Sequence, residues 1–125
     1  MRHIFLSLLL VAAGALSALA KGQISFDSEK ADFGTVKAKD GTVTMRYPFT
    51  NTGDEPVGIV TVTNGGCGCT KPEFPQKPVR PGEKGEIVIR FNPATFRGEV
   101  NRVVKVQTSS QKKRIKLTFS GVVVP

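Results

Sequence analysis

The residues of this chain that could do chemistry are few and close together. Two cysteines, Cys67 and Cys69, flank a single glycine in Asn64-Gly65-Gly66-Cys67-Gly68-Cys69-Thr70. In an extended strand, residues two apart share a face with their Cα atoms about 6.6 Å apart, from a rise of ~3.3 Å per residue. A disulfide tolerates Cα separations of about 4.4 to 6.8 Å. A Cys67–Cys69 bond therefore needs a bend, which Gly68 can supply, and so small a ring is expected to be strained and labile toward thiols. Four uses of the pair compete: a closed local staple, a redox-active dithiol exchanging with a partner, a Cu(I) site of two soft thiolates, or a disulfide to another protein. As a staple the bond closes too little chain to contribute much stability.

What accompanies the cysteines narrows the chemistry. The single histidine, His3, lies in the leading segment, so no imidazole stands near either thiol in sequence, and Lys71 is the nearest cation. A cysteine nucleophile normally leans on histidine, and zinc wants four ligands. The one sulfur outside the loop and the leading segment, Met45, sits at an inward strand position. The closest carboxylate pairs, Asp27 with Glu29 and Asp54 with Glu55, fall at strand ends or turns, where such groups are solvated. No enzyme and no cofactor is expected, copper at Cys67 and Cys69 being the alternative.

The leading segment has the grammar of an export signal. A basic head, Met1-Arg2-His3, precedes the apolar run Ile4 to Leu16 and the small-residue exit Ser17-Ala18-Leu19-Ala20. Cleavage is expected after Ala20, giving a signal peptide over 1–20 and one domain over 21–125. From Ile4 to Ala20 the run is shorter than the ~20 apolar residues a spanning helix needs. The expected product is periplasmic or secreted, and not an integral membrane protein.

Positive charge is unevenly placed. The chain carries 18 Lys plus Arg against 10 Asp plus Glu, and all but one of the basic residues lie beyond the signal segment. Residues 21–68 hold five basic and six acidic side chains, and residues 69–125 hold twelve and four. The densest cluster is Lys112, Lys113, Arg114 and Lys116, entering the last strand. Nucleic acid is disfavoured, because no exposed aromatics interleave with these cations. An anionic envelope surface or acidic partner is the functional use, and protection of a sheet edge is the structural one.

The elements that must position these groups read as strands. Val43, Met45, Tyr47 and Phe49 alternate with polar residues, as do Ile87, Ile89 and Phe91, and Ile115, Leu117 and Phe119. Val57 to Val62 reads as a strand covered on both faces, Val100 to Val106 as a weaker alternation, and Gln23–Phe26 and Phe33–Val36 as short strands. Turns carrying Gly, Pro and Asn separate them: Asn51-Thr52-Gly53-Asp54-Glu55-Pro56, Pro78 to Glu83, and Arg97-Gly98. About seven strands in a hundred residues predict an all-β, immunoglobulin-like two-sheet sandwich, with Phe and branched aliphatics filling a core that has no Trp.

Specific residues go further than pattern. Phe33-Gly34-Thr35-Val36, Asn51-Thr52-Gly53-Asp54-Glu55-Pro56, Cys67-Gly68-Cys69-Thr70, Pro81-Gly82-Glu83 and Gly85-Glu86-Ile87 resemble, in this order, a bacterial exported family known mainly as a domain of unknown function. Cys-Gly-Cys-Thr is its hallmark, and the domain is similar to the major sperm protein and Hydin-type immunoglobulin-like modules. The resemblance implies a binding or scaffolding fold. The expected function is thus a non-enzymatic exported module that binds a protein partner in the cell envelope. Its contact surface is expected at Cys67, Gly68, Cys69, Thr70 and Phe74, the last held as an apolar tip between Pro72 and Pro75. The alternative is a thiol-based redox or Cu(I)-handling protein.

Overall fold

The computed structural model describes residues 22–125, so the expected signal peptide lies outside the described residues. Eight strands form two four-stranded sheets. The first sheet has the order β1 (Ile24–Phe26), β3 (Val43–Asn51), β6 (Lys84–Phe91), β5 (Thr70–Glu73), with every neighbour antiparallel. The second has the order β2 (Lys30–Lys37), β8 (Ile115–Val124), β7 (Gly98–Thr108), β4 (Ile59–Val62). Here β2 runs parallel to β8 and the other pairs are antiparallel. Alternation sets the layers, because a period of two sends one face of each strand inward. Met45, Tyr47 and Phe49 of β3, Ile87, Ile89 and Phe91 of β6, and Leu117 and Phe119 of β8 are buried between the sheets.

Phenylalanine does the work of the missing Trp. Phe91 packs with Phe96, Phe119 and Phe33 at ring-centre distances of 5.0, 5.3 and 5.7 Å, within the range of favourable aromatic pairs. A Cβ at Gly121 would overlap the Phe33 ring, so the residue facing that ring on β8 has to be glycine. Tyr47 of the first sheet donates its hydroxyl to the Thr118 carbonyl of the second at 2.7 Å. Burial pushes its phenol up to about 12.

Asn51 closes one end of the sandwich. Its Nδ2 donates to the carbonyls of Glu55 (2.8 Å) and Val79 (2.9 Å), and its Oδ1 accepts from Gly53 N (2.9 Å) and Gln23 N (3.4 Å). All of its side-chain capacity is used, which is what allows an amide to be buried.

Three sequence expectations change. The strands number eight rather than about seven, because Thr70–Glu73 is a strand and not a loop. Val57 to Val62 is not a strand covered on both faces: β4 begins at Ile59, lies at a sheet edge and leaves Val60 59% exposed beside a register shift. Val57 instead makes a lone bridge to Val79 and is fully buried. Phe33–Val36 grows to the eight residues of β2, which bulges between Asp32 and Thr35.

Candidate functional site

The cysteine loop carries the chain from the edge of one sheet, β4, to the edge of the other, β5. It is anchored before it starts, as Thr63 N donates to Lys105 O and Lys105 N donates to Thr63 Oγ1, both at 2.9 Å. Two turns follow. In Asn64–Cys67 the Cys67 N–H reaches Asn64 O at 3.3 Å while Asn64 Oδ1 accepts from Gly66 N at 2.9 Å. Both central residues, Gly65 and Gly66, have positive φ of 68° and 80°, as a primed turn requires. In Cys67–Thr70 the Thr70 N–H reaches Cys67 O at 3.2 Å. This second turn supplies the bend: the two Cα atoms stand 5.2 Å apart and the sulfurs lie at bonding distance, 2.01 Å. Cys69 O then accepts from Asn92 N at 2.8 Å, tying the loop to the strand beside it.

Each sulfur also meets a hydrogen-bonding group. Cys69 N–H donates to Cys67 Sγ at 3.2 Å, and the Thr70 hydroxyl lies 3.5 Å from Cys69 Sγ. Thr70 is 2% exposed, so its hydroxyl is fixed by packing. Asn64, Gly65, Gly66 and Gly68 are exposed, and the two cysteines are half-buried. Among the described residues no three His, Cys, Asp or Glu side chains gather, so two sulfurs are the donor set here. Bonded to each other they offer no thiolate, and Cu(I) would need the reduced pair.

A cleft of about 290 Å³ opens beside the loop, walled by Thr42, Gly68, Cys69, Lys71, Arg90 and Asn92. Lys71 and Arg90 stand opposite each other in the β5–β6 register. Arg90 is engaged by Glu73 at 2.7 Å and by Thr44 Oγ1 at 3.3 Å. The hydrogen bond and charge of Arg90 hold the Glu73 carboxyl below the usual carboxylate range. Lys71 takes part in neither of the two ion pairs found among the described residues, Arg46–Glu86 and Arg90–Glu73. Those pairs have a structural role of their own. Val88 points outward in register between Arg46 and Glu73 yet is only 8% exposed, because charged side chains lie across it.

The remaining site residues of the sequence reading lie elsewhere. Phe74 follows β5 at the end away from Cys69, roughly 16 Å along a strand of ~3.3 Å per residue. It is half-buried and packs against the core, so it is not an apolar tip and does not join the cysteine loop. Lys112, Lys113 and Arg114 are exposed in the β7–β8 turn, and Lys116 sits directly opposite Lys105. Thr108, at the start of this turn, pairs with Ile59 at the Asn51 end of the sandwich, so Lys112, Lys113 and Arg114 lie toward the end opposite the disulfide. Sequence reasoning missed Arg90 and Asn92, which are brought to Cys69 by β5–β6 pairing, and Thr42, brought there by β3–β6 pairing. Arg90 carried one signal, its outward place in the Glu86, Val88, Arg90 alternation.

Residues 24–123 match the family described as "Protein of unknown function (DUF1573)". The chain belongs to that family. No curated protein matches this DUF1573 chain. Among solved structures it is similar to a protein of unknown function from Porphyromonas gingivalis W83, at 17% identity and a TM-score of 0.68 over 85% of this chain and 50% of that one. The VesB protease of Vibrio cholerae follows at 13% identity and a TM-score of 0.59, over 82% of this chain and 32% of that one. The CupB2 chaperone of Pseudomonas aeruginosa has 12% identity and a TM-score of 0.54, over 79% of this chain and 55% of that one. These likenesses are of fold, and the chain spans about half the length or less of the first structures it matches. No helix among the described residues is long and apolar enough to cross a membrane.

Proposed function

We propose that this chain is a non-enzymatic, exported, immunoglobulin-like module that binds or scaffolds a protein partner in the cell envelope through the loop Asn64–Thr70. One observation carries the reading: Asn64, Gly65, Gly66 and Gly68 are solvent-exposed while the loop is held by two turns, a disulfide and a hydrogen bond to Asn92. A surface ordered before contact loses less entropy on binding. The adjoining sheet edge argues for contact through the loop rather than by strand addition. Cys69 O faces β6, so by alternation Lys71 and Glu73 also turn their main chain to β6, while Thr70 and Pro72 face away. Thr70 N–H is already bonded to Cys67 O and Pro72 has no N–H, so the outer edge of β5 offers an incoming strand no donor. The leading segment, Met1 to Ala20, supports export. A similar fold in a chaperone is consistent with a non-enzymatic role.

The test uses Gly68, where an added side chain meets nothing within 4 Å. A photoreactive residue there is expected to crosslink a discrete envelope protein, and one at exposed Asp54, in the Asn51 turn, is not. Equal crosslinking from both positions, or none from Gly68, would overturn the reading. A second reading, thiol exchange or Cu(I) handling through Cys67 and Cys69, is favoured by the hydrogen-bonding group beside each sulfur, since such groups stabilise a thiolate once the bond opens.

A further inference from the structure

The two sulfurs are not equivalent. Cys69 forms part of the cleft wall and Cys67 does not. Cys67 Sγ instead accepts the Cys69 N–H, a donor fixed in the main chain. The wall around Cys69 contains two cations, Lys71 and Arg90, and no carboxylate. Arg90 is offset by its pairing with Glu73, whereas Lys71 is exposed and outside both ion pairs. At about 290 Å³ the cleft has the size for a small molecule. We infer that the cleft receives small anionic thiols, carrying a carboxylate or sulfonate, and delivers them to Cys69 Sγ for exchange with the Cys67–Cys69 disulfide. The inference rests on the second reading above and supplies its substrate class and its attacked atom.

The step balances within the molecule. The incoming thiolate attacks Cys69 Sγ and forms a mixed disulfide, the Cys69–Cys67 bond breaks, and its electron pair goes to Cys67 Sγ. The new thiolate is held by the Cys69 N–H and takes a proton from water. A second thiolate then attacks the carried sulfur of the mixed disulfide, releasing the external disulfide and leaving Cys69 as a thiolate. Two thiols are oxidised to one disulfide, and the protein disulfide that accepts their two electrons becomes a dithiol. The cationic wall acts on encounter, raising the local concentration of the anionic thiol at Cys69.

The test compares three thiols on the oxidised full-length mature chain: 2-mercaptoethanesulfonate, neutral 2-mercaptoethanol and cationic thiocholine. Rates are expressed per thiolate, and the first adduct is mapped by mass spectrometry after acid quench. The sulfonate is expected to react fastest, with the adduct on Cys69. Lys71→Glu is expected to slow it by roughly three- to tenfold and to leave 2-mercaptoethanol unchanged, a difference that shrinks at high salt. Lys112→Glu changes net charge equally, at the other end of the sandwich, and is expected to slow none of the three. Equal rates for the three thiols, or an adduct chiefly on Cys67, would overturn the cleft inference while leaving thiol exchange standing. If none of the three opens the bond, the exchange reading falls with it.

Discussion

Removing the disulfide is expected to cost this domain little stability, and the magnitude follows from the geometry. The bond joins residues two apart, closing a loop of three residues. Chain-entropy arithmetic for so short a loop gives about 1.6 kcal/mol as the most the bond can contribute through the unfolded state. Apart from the Cys69 N–H to Cys67 Sγ bond, what else holds the loop does not pass through the sulfurs. The hydrogen bonds Cys67 N to Asn64 O, Thr70 N to Cys67 O and Asn92 N to Cys69 O are all main chain and survive Cys67→Ser with Cys69→Ser. Both cysteines are half-buried, so the loss of apolar contact is small. The double variant should therefore fold, with its urea midpoint lowered by at most about 1 to 2 kcal/mol divided by m. Parallel curves by far-UV circular dichroism, for the oxidised chain, the reduced chain and the double variant, read this directly. A loss above about 3 kcal/mol, the range seen when small secreted domains lose a native disulfide, would refute the reasoning and make the bond a structural staple.

Three further outcomes test the rest of the structure. Asn51→Ala removes three short hydrogen bonds of a buried amide at about 1 kcal/mol each and is expected to lower stability by roughly 3 kcal/mol in the same assay, more than loss of the disulfide; a change under about 1 kcal/mol would contradict its role as a hub. Tyr47 is the one tyrosine of the chain and there is no Trp, so phenolate absorbance reads it alone. Its midpoint should stand near 12 rather than 10. The unfolded chain sheds this proton first, so stability is lost as pH rises through 10 toward 12, by about 2 to 3 kcal/mol, and Tyr47→Phe should remove that loss. Glu73, bonded by Arg90, should titrate below the ordinary carboxylate range by NMR and return to it in Arg90→Gln; because its folded value is depressed, the pairing contributes above the unfolded value and is lost as pH falls.

The strands that sequence made legible are those whose neighbours agree with their own pattern. Met45, Tyr47 and Phe49, or Leu117 and Phe119, face a core on one side and solvent on the other, so a period of two identifies them. Strand β5 was not legible. Thr70-Lys71-Pro72-Glu73 has little strand propensity and is extended because β6 pairs with it and the cysteine turn aims it. The run Val57 to Val62 misled for the opposite reason: its hydrophobicity serves a single buried bridge at Val57, a glycine, and an edge strand that leaves Val60 in water. The site follows the same division. Cys67 and Cys69 were evident from spacing, but Arg90 on β6, Asn92 just after it and Thr42 just before β3 are distant in sequence and only strand pairing brings them to Cys69. Composition also merged what the fold separates, since Lys71 and Arg90 wall the cysteine cleft while Lys112, Lys113 and Arg114 lie in the β7–β8 turn.

That separation bears on which motifs carry function. The Asn51-Thr52-Gly53-Asp54-Glu55-Pro56 and Pro81-Gly82-Glu83 turns meet each other: Asn51 N donates to Glu83 O at 3.0 Å, Gly82 N donates to Asn51 O at 2.9 Å, and the Asn51 side chain holds Glu55 and Val79. The main chain of both turns and the Asn51 side chain are consumed in closing one end of the sandwich, which gives these motifs a structural account. The cysteine loop has no such account. Its two turns and its tie to Asn92 are closed by main-chain bonds that need no sulfur, and its disulfide constrains too little chain to be needed for folding. Two cysteines, three exposed glycines and an uncompensated Lys71 therefore stand at the opposite end from the stabilising motif. A feature that the fold does not require, held in place and in water, is what the proposed partner contact and thiol exchange both rest on.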